Sequence, residues 1–370
     1  MSTAGFVPPP YPYDRLNEAK AAASAFEGGI VDLSIGTPFD PPPAEVVAAL
    51  SSSGAERGYP ASIGSARLRE AAVGWMARRF GVDVPLAGVA ACVGTKEFVA
   101  GVVAYLRLRT PDRDTVLFPS VAYPTYEMGA TLAGCRAVPV DDLAEIDAAA
   151  AARVLCLWVN SPANPTGALA DLGAAAAWGR AHGVPVLSDE CYAEFTWDGL
   201  PHTILEHGLD GVLAVHSLSK RSNLAGLRVG FYAGDLDLVY YLSEVRKHAG
   251  FMVPGPVQAA AAVALDDDAH VDAQRERYLE RLWYFADVLR AEGAKVEMPG
   301  GSFYLWATAP GEGVEAPEGD AWAFTNDLAR RGGVLVSPGD LYGPAGAGHV
   351  RVAMVQPMER LALVAERLGR

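Results

Sequence analysis

The chain has 370 residues, of which 51% are hydrophobic and 20% charged, and its formal net charge is −14. This balance is typical of a globular protein with one or two sizeable cores, and the acidity argues against nucleic acid and anionic membranes as partners. No apolar run reaches the length of about 18 residues that a membrane span needs, so we predict no membrane insertion.

The four cysteines are widely separated and form no CxxC pair; they are Cys92, Cys135, Cys156 and Cys191. This spacing fits neither a zinc ribbon nor a thioredoxin motif, and we predict no metal site. Free thiols are typical of a reducing compartment. Since the first residues also lack the charged and apolar regions of a signal peptide, we expect a cytoplasmic protein.

A proline-rich arm at residues 8–12 comes first, and such an arm is usually either disordered or docked on a partner surface. An alanine-rich helix at 15–26 and a strand at 31–35 follow, and the strand ends at Gly36. A glycine there lets the backbone approach a ligand closely, although an ordinary turn fits equally well.

From residue 44 onward, helical segments alternate with apolar strands. The predicted helices cover 44–51, 65–80, 96–107, 126–133 and 171–182. The predicted strands cover 89–93, 115–118, 136–140, 154–159, 184–187, 212–215 and 228–232. Several strands are apolar throughout, as expected when helices cover both faces of a sheet. The pattern predicts an α/β fold with a mostly parallel central sheet.

After residue 250 the pattern changes to one of long helices and short strands. Helices are predicted at 256–265, 269–291, 321–331 and the C-terminus, and strands at 295–298, 302–308, 333–336 and 349–355. We interpret this part as a smaller α+β domain. The predicted division is an arm with the start of the small domain at 1–44, a large domain at 45–265 and a small domain at 266–370. An acidic, glycine-rich loop at 310–319 has no assigned role.

Polar residues follow the predicted strands, at the sheet edge where α/β proteins bind ligands. Gly94, Thr95 and Lys96 join a strand to a helix whose free N–H groups can bind phosphate, although an ordinary turn capped by Thr95 fits as well. Tyr123 can stack on a planar cofactor or fill the core. Asn164 lies in an Asn-Pro-Thr-Gly turn, and its amide can also donate to an anionic oxygen.

Two further segments carry ionisable groups. Asp189 ends a strand, where a buried carboxylate needs a partner such as a protonated pyridine nitrogen, and Tyr192 is close enough to reach an oxygen on the same ring. Lys220 follows two serines and precedes Arg228. Its amine can form a Schiff base with an aldehyde cofactor. The two serine hydroxyls and the Arg228 guanidinium can then hold the phosphate of that cofactor. A solvated surface turn has the same composition and is the alternative.

Arg351 lies between valines in the last predicted strand. A buried arginine needs an acidic partner, and a substrate carboxylate would satisfy it in a bidentate pair. Exposure at the solvent edge of the sheet is the alternative.

In this order along the chain, the segments resemble the class I/II aminotransferases of fold type I, which use pyridoxal phosphate, from about residue 30 to the end. The resemblance implies that the catalytic residues are Lys220, Asp189 and Tyr123. It implies a cofactor site made of Tyr59, Gly94, Thr95, Lys96, Tyr123, Asn164, Asp189, Tyr192, Ser217, Ser219, Lys220 and Arg228. Tyr59 would come from the other subunit of a homodimer with shared active sites. Gly36, Asn164 and Arg351 would bind the substrate, an amino acid or a 2-oxo acid.

The segments HSLSKRSNLAG, VAYPTYE, NSPANPTG and SDECY look like the N-succinyldiaminopimelate aminotransferases of actinobacterial lysine biosynthesis. That resemblance implies amino transfer between glutamate and N-succinyl-2-amino-6-oxopimelate. Lys96, Arg67 and Arg221 are candidates for binding the distal carboxylates of such a substrate. Two alternatives stay open: an aminotransferase for aspartate, aromatic amino acids or prephenate, and a carbon–sulfur lyase that uses the same cofactor. A regulator of this fold would carry a basic DNA-binding module, which the residues before the domain do not resemble.

Overall fold

The computed structural model of the protein describes residues 5–311 and 319–370, so most of the acidic loop at 310–319 lies outside the described residues. The strands are β1 Val31–Asp32, β2 Val89–Cys92, β3 Thr115–Phe118, β4 Arg136–Pro139, β5 Val154–Asn160, β6 Val186–Asp189, β7 Val212–Ser217, β8 Gly230–Gly234, β9 Lys295–Val296, β10 Tyr304–Thr308, β11 Val334–Leu335, β12 Ser337–Pro338 and β13 His349–Ala353.

The helices are α1 Asn17–Ser24, α2 Ala44–Ser52, α3 Ala66–Phe80, α4 Thr95–Arg109, α5 Thr125–Leu132, α6 Ala148–Ala151, α7 Leu172–His182, α8 Leu218–Arg221, α9 Leu236–His248, α10 Gly255–Asp266, α11 Ala269–Ala291, α12 Ala321–Gly332 and α13 Met358–Arg367. Across residues 5–311 and 319–370, none of them combines the length and the apolar character needed to cross a bilayer.

Seven strands form the central sheet in the order β2-β8-β7-β6-β5-β3-β4. Strand β8 runs antiparallel to both of its neighbours, and the other pairs are parallel. The α/β fold with a mostly parallel sheet is therefore confirmed. Every residue of β6 and β7 is buried, because hydrophobic side chains of the flanking helices cover both faces. This burial explains why these strands are apolar throughout rather than alternating.

The central strands extend further at their carboxyl ends than the sequence predicts. Asn160, Asp189 and Ser217 are the last residues of β5, β6 and β7, and Asn160 lies directly beside Asp189 in the register. Because these strands are parallel neighbours, their polar ends meet at one edge of the sheet. The fold thus gathers three side chains that are distant in sequence.

Helix α9 is absent from the sequence prediction. Asp235 caps its start by accepting hydrogen bonds from the N–H groups of Asp237 and Leu238, and its last turn contains Arg246, Lys247 and His248. An acidic cap followed by a basic last turn is the standard signature of a helix, so the sequence contains the signal that would have found α9.

A second sheet has four antiparallel strands in the order β12-β13-β10-β9, and β1 pairs in parallel with β11. A separate hydrophobic cluster underlies this part and includes Leu282, Phe285, Val352 and Leu361. Arg351 is on β13, opposite Trp306 of β10. The predicted domain boundaries, after residues 44 and 265, stay a prediction.

Candidate active site

A cavity of about 440 Å³ lies at the carboxyl ends of β5, β6 and β7, and β10 and β13 contribute to its wall. The structure brings together here most of the residues predicted from sequence: Gly36, Thr95, Lys96, Tyr123, Asn164, Asp189, Tyr192, Ser217, Ser219, Lys220, Arg228 and Arg351. This is the position where α/β sheets bind their ligands.

One end of the cavity is suited to an anion. Gly94 occupies the N-cap of α4 with φ of 74°, and no side chain in the described part of the chain caps the helix, so the turn capped by Thr95 is wrong. A Cβ at Gly94 would lie 2.2 Å from Nη2 of Arg228, and the glycine is therefore needed for the guanidinium to approach. Ser217 and Ser219 lie nearby, joined by a 3.1 Å hydrogen bond from the Ser219 N–H to the Ser217 hydroxyl. Uncapped N–H groups, hydroxyls and a guanidinium together form a phosphate site.

Asp189 lies buried at another wall of the cavity. Its carboxylate accepts a hydrogen bond from the Tyr126 hydroxyl at 2.9 Å and one from the Cys191 N–H at 3.2 Å, and both donors are uncharged. Burial raises the pKa of Asp189. A protonated ring nitrogen would supply the positive charge that this carboxylate lacks within the described part of the chain.

Lys220 is on the one-turn helix α8, and its Nζ donates a hydrogen bond to the carbonyl of Gly36. Burial of the amine lowers the pKa of Lys220 to about 8. An appreciable fraction of the amine is therefore neutral near physiological pH, as a base that accepts a proton requires. The solvated surface turn considered from sequence is wrong.

Arg351 is 2% exposed, which rejects the solvent-edge alternative. Its guanidinium donates to Oδ1 of Asn164 at 2.8 Å, to the carbonyl of Ser34 and, at 3.5 Å, to the Tyr13 hydroxyl. These acceptors are all uncharged, and Nε has no hydrogen-bond partner among the described residues. The rings of Tyr304 and Tyr342 lie 4.2 and 4.7 Å from the guanidinium carbon. A substrate carboxylate would complete this environment.

The tyrosines differ in their positions. Tyr123 lines the cavity and packs edge-on against Tyr126, with ring centroids 5.9 Å apart, so it is available to a planar ligand rather than lost in the core. The Tyr192 hydroxyl forms a 2.8 Å hydrogen bond with that of Tyr304. Tyr59 is fully exposed and does not line the cavity of its own chain, so its contact with a phosphate in a second subunit stays a prediction.

Several residues of the site were not predicted from sequence. Asn160 donates to the Asp189 carbonyl and accepts from the Asn164 N–H, both at 2.7 Å, and thereby holds two predicted residues together. Tyr126 orients Asp189, and its position three residues after Tyr123 on a helix start was an available signal. Tyr304 carries no comparable signal, because only the pairing of β10 with β13 brings it to Arg351.

Arg221, one of the three candidates for the distal carboxylates, is wrong, and Arg67 does not lie at the cavity of its own chain. Arg67 pairs with Asp266 on the surface, and Arg221 is buried against Glu194; neither lines the cavity. Lys96 does line it, and its Nζ lies 3.4 Å from the Tyr11 hydroxyl. Sequence gives no means of telling which arginine will meet a carboxylate of its own chain.

The residues present fit pyridoxal phosphate. The free N–H groups at the start of α4 and the guanidinium of Arg228 suit its phosphate. The buried carboxylate of Asp189 suits its ring nitrogen, and the ring of Tyr123 can stack on its ring face. Lys220 supplies an amine for its aldehyde. Asn164 and Tyr192 provide polar side chains for the ring oxygen.

Comparison with known proteins agrees with this geometry. A model of the family described as aminotransferase class I and II matches residues 29–368. The chain is 46% identical to "Probable aminotransferase Rv1178" of Mycobacterium tuberculosis, over 97% of this chain and 85% of that protein. It is 43% identical to "4-dedimethylamino-4-oxo-anhydrotetracycline transaminase OxyQ" of Streptomyces rimosus, over 97% of this chain and 99% of that protein.

Among solved structures, a probable N-succinyldiaminopimelate aminotransferase from Thermus thermophilus superposes with a TM-score of 0.84 at 31% identity, covering 96% of this chain and 99% of that one. The family model and both relatives extend over nearly the whole chain. The chain therefore belongs to the class I and II aminotransferases, enzymes that depend on pyridoxal phosphate.

Proposed function

We propose that this aminotransferase exchanges an amino group between glutamate and N-succinyl-2-amino-6-oxopimelate. The observation that carries the proposal is Arg351, a buried guanidinium whose partners in the described part of the chain are all uncharged. Glutamate and the amino product of the proposed reaction both present an α-carboxylate, so one arginine serves both half-reactions.

Pyridoxal phosphate, when bound, supplies the electron sink that allows the α-C–H bond of an amino acid to break. The chain's own residues do the rest. Lys220 accepts the proton from the α-carbon and returns it, which its lowered pKa permits near neutral pH. Asp189 keeps the ring nitrogen protonated, and Tyr126 holds the Asp189 carboxylate in position. Arg351 and Asn164 orient the substrate so that its α-hydrogen points to Lys220.

The distal part of the substrate distinguishes this proposal from other aminotransferase activities. Lys96 is on the cavity wall next to Tyr11, where its ammonium can pair with a distal carboxylate. The similarity to the Thermus protein supports the same substrate. The similarity to OxyQ favours a second candidate, amination of a ring ketone such as the one in that protein's name. A ketone of that kind would not use Arg351 as an amino acid does.

A homodimer belongs to the proposal. Tyr59 is fully exposed in the single chain, and a second subunit would bring it to the phosphate. We expect sedimentation of the active enzyme to give a dimer, and an active monomer would contradict the shared site.

The experiment is a substrate panel on the purified enzyme loaded with pyridoxal phosphate. N-succinyl-LL-diaminopimelate, LL-diaminopimelate, aspartate and phenylalanine are each supplied with 2-oxoglutarate, and glutamate formation is measured. We expect the highest kcat/KM for the succinylated compound. In Lys96→Met, kcat/KM for that compound alone should fall by about tenfold, since one charged hydrogen bond is removed.

Preference for an aromatic or short aliphatic amino acid, or for an anhydrotetracycline ketone with glutamate as donor, would contradict the proposed substrate. Release of pyruvate from cystathionine would indicate the lyase instead.

A further inference from the structure

A buried charged cluster lies outside the cavity, centred on Glu194. The Glu194 carboxylate accepts hydrogen bonds from Nε1 of Trp75 at 2.6 Å, Nε of Arg79 at 2.9 Å and Nε of Arg221 at 3.3 Å. Its side chain is 3% exposed. A buried carboxylate is costly unless it is paired and hydrogen-bonded, and here two guanidiniums and an indole do so.

Arg221 directly follows Lys220 and ends helix α8. Besides Glu194, its guanidinium donates to the carbonyl of Ala264 at 2.7 Å and to the hydroxyl of Ser222 at 3.0 Å. Helix α8 has only four residues, and one helical turn has little stability of its own. The direction of α8, and with it the direction of Lys220, therefore depends on contacts such as those of Arg221.

Glu194 connects this helix to the neighbouring segment that follows β6 and also lines the cavity. It lies two residues after Tyr192 in the segment that leaves β6 at Asp189. Arg275 of α11 holds the same segment by donating to the carbonyls of Glu194 and Thr196. The pair of Arg221 and Glu194 thus joins the segment that carries Asp189 and Tyr192 to the helix that carries Lys220.

We propose that Arg221 and Glu194 are positioning residues that fix the direction in which the Lys220 amine enters the cavity. The inference rests on the proposed role of Lys220 in amino transfer. Proton transfer depends steeply on geometry, and a displacement of about 1 Å can cost about 100-fold in rate. Both residues act through Lys220, because neither lines the cavity.

The test compares Arg221→Gln with the matched control Arg79→Gln in the enzyme loaded with pyridoxal phosphate. Arg79 donates to the same carboxylate, but its other partner is Asp272 rather than any residue of α8. The measurements are kcat, KM for glutamate, Tm, and the pKa obtained by titrating the absorbance of the lysine-bound cofactor. Lys220 faces Asp189, Cys191, Arg228 and Arg351, and none of these is changed.

For Arg221→Gln we expect kcat to fall by about 10- to 100-fold and KM to stay within about threefold. The spectroscopic pKa, which belongs to the nitrogen that joins Lys220 to the cofactor, should rise as that nitrogen becomes more solvated. Arg79→Gln should lower Tm and leave kcat and the spectrum unchanged. Arg221→Lys should recover part of kcat, since it keeps the charge that pairs with Glu194.

The inference is wrong if Arg221→Gln and Arg79→Gln lower Tm alike and both leave kcat and the spectrum unchanged. The pair of Arg221 and Glu194 would then have only a structural role. Should Arg221→Gln not fold, Glu194→Gln serves in its place, with the same fall in kcat expected and an unchanged kcat and spectrum contradicting the inference. A failure of the underlying role is separately visible, because Lys220→Ala would then keep the absorbance of the lysine-bound cofactor.

Discussion

Arg351 lies in the cavity wall, and Arg246 lies beside the first turn of α4, outside the cavity. Both are 2% exposed, yet their surroundings differ. Both Nη atoms of Arg246 donate to the Glu97 carboxylate, at 2.6 and 2.8 Å. Arg351 donates only to uncharged acceptors within the described residues. Burial alone is therefore no sign of function. A buried charge without a charged partner costs stability, and a ligand of opposite charge removes that cost.

The same contrast between unpaired and paired buried charges separates the cavity from the region around Arg246 and Glu97. Around the cavity, Lys220 and Asp189 resemble Arg351 in forming no ion pair with any of the described residues. Burial lowers the pKa of Lys220 and raises that of Asp189, so both shift toward the neutral form. Behind it, Glu97 also accepts from the Val93 N–H, so the Arg246 pair braces the turn that begins α4. We expect changes in the first region to affect activity and changes in the second to affect stability.

The largest expected effect is that of Lys220→Ala. Without the amine, turnover should fall by about 10³-fold or more, and the absorbance of the lysine-bound cofactor should disappear, while the phosphate site still retains the cofactor. Steady-state assays and absorption spectra check both. Lys247→Ala, which removes an exposed lysine, is the control, and a Lys220→Ala variant with normal turnover would refute the assignment.

Asp189→Asn should have the next largest effect. The amide keeps the shape of the carboxylate but cannot hold the proton on the ring nitrogen, so we expect the single-turnover rate with glutamate to fall by about 10²- to 10³-fold. Tyr126→Phe, which removes only the hydrogen bond that orients Asp189, should cost less. An unchanged single-turnover rate in Asp189→Asn would show that Asp189 is not the partner of the ring.

Much of this contrast could be predicted from the sequence. Lys220, Asp189 and Arg351 lie in local patterns, at strand ends or between valines, where the fold class indicates their surroundings. The pairing of Arg67 with Asp266 and of Arg221 with Glu194 joins residues that are distant in the chain or on different elements, and no local pattern reveals it. The contact of Tyr304 with Arg351 likewise depends on the register of β10 and β13.

Glu97→Gln tests the paired region. Removing the carboxylate leaves Arg246 buried without its charged partner, so we expect a loss of about 2–3 kcal/mol in the free energy of unfolding and a change in kcat of only a few fold. Urea unfolding of the enzyme loaded with pyridoxal phosphate measures the free energy of unfolding. Glu244→Gln, in an exposed pair with Lys247, should cost less than about 1 kcal/mol. Equal costs for the two substitutions would remove the distinction between the buried and the exposed pair.

The central claim is that Arg351 is reserved for the α-carboxylate of the substrate, and the affinity for glutamate tests it most directly. The dissociation constant is obtained from the change in cofactor absorbance on mixing glutamate with wild type, Arg351→Gln and Arg246→Gln. Since a charged hydrogen bond contributes about 1.5–3 kcal/mol, we expect Arg351→Gln to bind glutamate about 10- to 100-fold more weakly. Arg246→Gln should stay within about threefold of wild type. Wild-type affinity in Arg351→Gln, or an equal loss in both variants, would contradict the claim.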